Sequence, residues 1–250
     1  MRYSGSKSKY MKELLPILMN GANEDTIFVD AFMGGANVIG QIPLKNKYGF
    51  DINQYVIALW NDIKEHGVMS KNIVSELTQE EYQNIKQSYI NNDGKYPKGL
   101  IGYVANCCSY GGAWFNGYAK FNPNKNEDHI KEAYNGIVKQ IKKFKNLDST
   151  IFECQTYANA VNFNKDNTII YCDPPYASTK KYESDFDNNK FWEWARHFSK
   201  KGYKIYISEY DAPSDFKCIW QKVKKDGMGT TRVGNKQNIK IEKLFIYGNT

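Results

Sequence analysis

Thr168-Ile169-Ile170-Tyr171-Cys172-Asp173-Pro174-Pro175-Tyr176 is the stretch on which the reading of this chain turns. Its apolar, β-branched half reads as a buried strand. That run ends abruptly in an acid, two prolines and an aromatic ring. Neither proline has an N–H for a sheet ladder, so the strand stops there. Each also pushes the residue before it toward an extended conformation, which restricts both Asp173 and Pro174. The result is a stiff turn at the carboxyl end of a strand. It offers a carboxylate, a backbone carbonyl and a ring face, which suit a flat substrate bearing an exocyclic NH2.

A second strand-and-turn unit lies far upstream. Thr26-Ile27-Phe28-Val29-Asp30-Ala31-Phe32 reads as a short strand running into Met33-Gly34-Gly35-Ala36-Asn37-Val38. A glycine pair just after a strand lets the backbone approach a ligand closely. Tyr48-Gly49-Phe50 is the next strand candidate and ends at Asp51. Strand, glycine turn, helix, strand and then an acid is how dinucleotide-type sites set a carboxylate on ribose hydroxyls. The full G-x-G-x-x-G fingerprint is missing, and Gly5-Ser6-Lys7-Ser8 lacks the upstream glycine and strand of a P-loop.

Elsewhere the pattern is mainly helical. Met11, Leu14, Leu15 and Leu18 follow helical spacing, with Pro16 expected to kink or shorten the helix and Asn20-Gly21 to stop it. Helices are also expected over 54–65, 80–89 and 129–145. Between the last two lies a loop rich in glycine, amide and aromatic residues, from Asn106 through Trp114 and Phe115 to Lys120. Such aromatic density favours a substrate-facing loop over a plain connector. After the proline turn, Phe191, Trp194, Ala195 and Phe198 mark a helix with a core stripe, closed by Gly202. Residues 203–208 alternate as a strand, and 244–247 form a closing one. The intervening stretch holds Lys217, Lys222, Lys224, Lys225, Arg232, Lys236, Lys240 and Lys243 among scattered glycines. It reads as a phosphate-contacting hairpin or loop.

Composition narrows the class. With 250 residues, 41% of them hydrophobic, the chain can bury one good core and an inserted subdomain. No stretch approaches the roughly 18 apolar residues of a membrane span. The opening residues lack an apolar leader, so a cytoplasmic protein is expected. Five cysteines without a C-x-x-C pair fit a reduced protein without zinc. A net charge of +7 and 15% aromatic residues favour a polyanionic partner, nucleic acid first. His66, His129 and His197 lie in polar helical settings, far from any nucleophile or H-E-x-x-H pattern, which disfavours a serine triad or a zinc hydrolase. Clustered Asp-x-Asp ligands are missing too, which weakens a nuclease or polymerase reading.

With Asp173-Pro174-Pro175-Tyr176 in hand, the chain resembles the Dam-like (D12 class) adenine-N6 DNA methyltransferases, and their compact phage and mobile-element members in particular. The likeness spans essentially the whole chain. Arg2-Tyr3-Ser4-Gly5-Ser6-Lys7 is similar to the N-terminal cofactor motif, and Phe28-Val29-Asp30-Ala31-Phe32-Met33-Gly34-Gly35 to the central glycine motif. Asp51, the loop from Ser109 to Phe115, Ser208-Glu209-Tyr210 and Lys240-Ile241-Glu242-Lys243-Leu244-Phe245 follow in the family's order. Met33 departs from a smaller residue or cysteine, and Ala113 stands where relatives often carry a base.

The resemblance implies an α/β fold: the Rossmann-like sheet of S-adenosylmethionine-dependent methyltransferases with a mainly helical target-recognition insertion. The catalytic domain would comprise 1–55 and 151–250, and the DNA-binding insertion 56–150. Tyr3, Lys7, Asp30, Phe32, Gly34, Gly35, Asp51 and Asp173 would form the site for S-adenosyl-L-methionine. Asp173, Pro174, Pro175 and Tyr176 would act on a flipped-out adenine. Tyr110, Trp114, Phe115, Asn116, Lys120, Arg232, Lys236 and Lys240 would meet double-stranded DNA. Alignment and electrostatics suffice for in-line methyl transfer, so no metal is expected, and the family implies a monomer or weak dimer. Cytosine N4 offers the same kind of amino group, and RNA is a further possible substrate. A catalytically silent DNA-binding module is the reading from another class.

Overall fold

The computed structural model describes residues 1, 3, 5–68, 77–119, 121, 128–175, 186–223 and 241–248. The chain is mixed α/β and divides into two compact units, Met1–Tyr157 and Ala158–Thr250.

In the first unit, helix α1 (Met11–Leu18) precedes strand β1 (Ile27–Asp30). Pro16 sits inside α1, which ends after eight residues, and Gly21 beyond it has a φ of 76°. Strand β2 (Lys47–Asp51) lies between β1 and β3 (Thr150–Cys154), parallel to both, with Asp30 opposite Gly49 and Asp51 opposite Cys154. No α-helix forms between β1 and β2, contrary to the sequence expectation; a 3₁₀ turn at Ile39–Gln41 takes its place. Gly40 and Pro43 both oppose a helix there. Lys47, fully buried, braces this crossover instead: its ammonium donates to the carbonyls of Ile39 (3.1 Å), Ile42 (3.2 Å) and Lys145. Burial pushes its pKa down to about 8.

Helices α2 (Gln54–His66), α3 (Gln79–Asn91), α4 (Lys98–Cys107) and α5 (His129–Ile141) complete this unit. Asn53 caps α2 through its side chain, Thr78 and Glu81 form a capping box on α3, and Asp128 caps α5. These caps satisfy N–H groups that the first turn leaves open. α5 stops four residues short of the expected end, and α4 was not foreseen. Between them Tyr55, Tyr82, Tyr89, Trp114, Phe115 and Tyr118 pack ring against ring.

In the second unit, β4 (Thr168–Cys172) is buried along its whole length and pairs in parallel with β5 (Lys204–Glu209). β7 (Ile241–Tyr247) runs antiparallel to β5 and to β6 (Phe216–Val223), giving the order β4-β5-β7-β6. β6 takes up the start of the basic stretch; Lys224, Lys225 and the segment up to Lys240 lie outside the described residues. Helix α6 (Asn188–Lys200) buries Phe191 and Ala195, and Gly202 follows it with a φ of 96°. Among the described residues no helix is long and apolar enough to cross a membrane.

Candidate active site

The glycine turn after β1 is fastened to the end of β2 by Asp51. Gly34 N–H donates to Asp51 Oδ2 at 3.0 Å, and Asn53 N–H to Oδ1 at 2.8 Å. Burial raises the Asp51 pKa, with the two backbone donors pulling it down again. Gly34 has a φ of 40°, and a Cβ on it would lie 2.5 Å from the Tyr3 ring. A Cβ on Gly35 would lie 2.7 Å from Tyr3 Cβ. Tyr3 therefore rests directly on both glycines, and any side chain there would displace it. Thus Tyr3, Gly34, Gly35 and Asp51, far apart in sequence, meet in one place.

The carbonyls of the same turn are held from the other side. Trp60 Nε1, fully buried on α2, donates to Gly34 O at 3.2 Å. Gln140 Nε2 on α5 donates to Gly35 O at 2.8 Å and to Ala36 O at 3.3 Å. Sequence reading missed both residues, because neither carries a local signal and their partners lie 26 and 105 positions away. Met33 also finds its explanation: a Cβ on Gly49 would come 2.6 Å from its sulfur, so the long side chain fills the space above that glycine.

Three other expected cofactor residues have defined neighbours. Lys7 is buried, with Nζ donating to Gly5 O at 3.0 Å. Asp30 is buried and its Oδ2 accepts from Ile39 N–H at 3.3 Å, which secures the crossover. Phe32 stacks on Tyr157 with ring centroids 5.6 Å apart.

In the second unit, β4 delivers Asp173 and Pro175, both half-buried, and Pro174, buried, at its carboxyl end. Tyr176 lies outside the described residues. Tyr171 within the strand hydrogen-bonds to Ser208 of β5 between side-chain oxygens at 2.8 Å. Glu209 closes β5, buried, its Oε1 accepting Tyr210 N–H at 2.7 Å.

The aromatic loop is a closed hairpin. Tyr110 N–H donates to Gly117 O at 3.0 Å and Ala119 N–H to Cys108 O at 2.9 Å. Tyr110 (46% exposed) and Asn116 stand on its surface. Phe115 does not: it is 6% exposed, packed between Tyr82 and Tyr89, so the expectation that its ring meets DNA is corrected. Trp114 is half-buried against Tyr55 and Tyr89, which leaves it only part of a ring to offer. The loop's hydrophobic side chains secure it to α3 and α2 while its polar tip faces outward. Lys120, Arg232, Lys236 and Lys240 lie outside the described residues.

Comparison with known proteins gives the chain a family. Residues 3–224 match the family described as D12 class N6 adenine-specific DNA methyltransferase. The modification methylase StsI of Streptococcus sanguinis is 26% identical over 234 residues, 83% of this chain and 34% of its own. The type II methyltransferase M.FokI of Planomicrobium okeanokoites is 29% identical over 215 residues, 78% of this chain and 31% of its own. This chain thus spans about a third of the length of either relative. Two solved structures align at 11% identity, both too distant to bear on the fold or the site. One is a methylase from Haemophilus influenzae (97% of this chain, 99% of that one, TM-score 0.36), the other a methyltransferase complexed with SAH (98%, 54%, 0.34). The match over 3–224 covers nearly the whole chain, and by it the chain belongs to the D12 class N6 adenine-specific DNA methyltransferases.

Proposed function

We propose that this protein transfers a methyl group from S-adenosylmethionine to N6 of an adenine in double-stranded DNA. One observation carries the reading: in a member of this family, a fully buried strand ends in Asp173-Pro174-Pro175. The curated relatives, a modification methylase and a type II methyltransferase, support the same chemistry.

The residues of the first unit fit the cofactor. Asp51 keeps lone pairs for the ribose hydroxyls beyond the two it gives to backbone N–H groups. Tyr3 is seated directly on Gly34 and Gly35, which leave it room by having no side chain, and Phe32 is stacked on Tyr157, so each would turn its other ring face to the ligand. When bound, the cofactor supplies a methyl carbon made electrophilic by its sulfonium. The chain's own residues then do the aligning. Adenine N6 is enclosed in the duplex, so the base is turned out to be reached. Asp173 carboxylate and Pro174 carbonyl accept its two N6 hydrogens, which draws the nitrogen lone pair out of the ring. Tyr176 stacks on the base. The lone pair so freed would be directed at the methyl carbon that a bound cofactor supplies, and the electrons of the broken C–S bond would stay on sulfur. N6 then gives up one of the two hydrogens as a proton, which the Asp173 carboxylate, already its hydrogen-bond acceptor, takes up and releases to water. Preorganised acceptors and orientation supply the acceleration. Residues 56–150 act as the recognition insertion, with Tyr110 and Asn116 presented to DNA.

The test is mass spectrometry of nucleosides from unmethylated DNA incubated with the full chain and labelled S-adenosylmethionine. Label in N6-methyladenine is expected, and Asp173→Ala should abolish it while DNA affinity stays. Label in N4-methylcytosine overturns the choice of base. Binding of DNA without cofactor binding or transfer would leave a silent binding module.

A further inference from the structure

We propose that the solvent face of α5 is a binding surface for the phosphate backbone of duplex DNA, formed by Lys131, Lys139 and Lys142. The inference rests on the DNA substrate proposed above and adds a contact surface to it. α5 is sharply two-sided. Ile130, Ala133 and Ile137 are buried on one side. At about 100° per residue, Lys131, Lys142 and Lys139 fall within about 80° of one another on the other side. All three are exposed, as is Asn135 between them. Lys142 is the C-cap residue and keeps helical geometry, so the row continues past Ile141. Lys143 and Lys145, just beyond, are exposed as well.

Among the described residues, Lys131, Lys139 and Lys142 make no ion pair or side-chain hydrogen bond. The acids nearest in sequence have other work: Asp128 accepts Lys131 N–H as the helix cap at 2.9 Å, and Glu132 lies 3.6 Å from His129. Two cations of α6 differ. Arg196 pairs with Asp215, and Lys200 sits over the Tyr247 ring at 5.7 Å. α5 thus presents a row of uncommitted charge.

Two further features favour a duplex. The row is continuous with the outward loop tip, because Tyr110 packs edge-on against His129, the first residue of α5, with centroids 5.9 Å apart. Its length also suits a phosphate track. Eleven residues of helix span roughly 16 Å, in which one strand passes about five phosphates at ~3.4 Å of duplex axis each. Contacts of this kind set register and affinity without reading sequence.

The experiment measures the affinity of the full chain for a fluorescent unmethylated duplex of about 30 base pairs, between about 50 and 200 mM salt. The triple variant Lys131→Gln/Lys139→Gln/Lys142→Gln should show a plot of log affinity against log salt shallower by about 2 to 3. Its S-adenosylmethionine affinity and its turnover at saturating DNA should match the unsubstituted protein. A second variant, Lys12→Gln/Lys45→Gln/Lys201→Gln, removes the same charge from exposed positions elsewhere. An unchanged slope in the first variant, or an equal change in both, overturns the surface. If the α5 variant alone alters the slope and the unsubstituted protein methylates no DNA, the surface stands and the methylation reading falls.

Discussion

Asp51 works on two ligands at once, the protein's own turn and the cofactor proposed to lie beside it. Its oxygens accept Gly34 and Asn53 N–H groups, while burial raises its pKa above that of an exposed aspartate. The folded chain consequently holds this proton more tightly than the unfolded one. The stability so gained is present at low pH and is lost as pH rises through the raised value. Cofactor binding has the opposite sign, because only the ionised carboxylate can serve the ribose hydroxyls fully. S-adenosylmethionine affinity, followed by titration calorimetry, should fall on acidification at pH values above the usual aspartate range. Asp51→Asn has one acceptor oxygen for two N–H groups, so its affinity should drop roughly ten- to a hundredfold and lose that pH dependence. A variant with full affinity would remove Asp51 from the cofactor site.

α2 and α4 meet backbone to backbone. A Cβ on Gly102 would lie 2.2 Å from the Tyr55 carbonyl oxygen, whereas one on Gly99 would meet Asp62 Oδ2, the end of a side chain, with the nearest backbone atom, Ala58 O, at 3.3 Å. Overpacking of the first kind costs about 1–3 kcal/mol, against up to about 1 kcal/mol of helix propensity gained by alanine. Gly102→Ala should therefore destabilise the protein and Gly99→Ala change it little, as urea unfolding followed by circular dichroism will read; equal effects would refute the seam. The same glycines explain why α4 escaped the sequence reading. Taken locally they argue against a helix, and only the partner helix shows what they admit. Features built from neighbouring residues were legible: the buried run that stops at Asp173-Pro174-Pro175, and the turn at Gly34-Gly35 with an acid one strand later. Features that depend on distant partners were not. Nothing near Trp60 or Gln140 announces a carbonyl to hold, and an aromatic loop does not say which ring turns inward, so Phe115 was expected on the wrong side. The crossover helix was expected because such units usually have one, while Gly40 and Pro43 spoke against it.

For the molecule as a whole, ligand and stability are linked. Cofactor at about a hundred times its dissociation constant should add about 2.7 kcal/mol to the state that binds it. In a chain of this size that is a rise of roughly 5–11 °C in Tm. Thermal unfolding with increasing S-adenosylmethionine should show the rise, and Asp51→Asn should shift the curve to higher concentrations. Absence of any rise would count against the cofactor. The anchoring of the glycine turn has a separate consequence, for exchange of parts between relatives. Trp60 and Gln140 lie in the segment proposed to recognise DNA, yet they hold the carbonyls of Gly34, Gly35 and Ala36. A chimera that imports new sequence preference by replacing 56–150 also removes three anchors of the turn. Transplanted specificity will then arrive with a damaged cofactor turn unless the donor segment supplies an indole and an amide at the same two places, so the two halves of such an enzyme are inherited together.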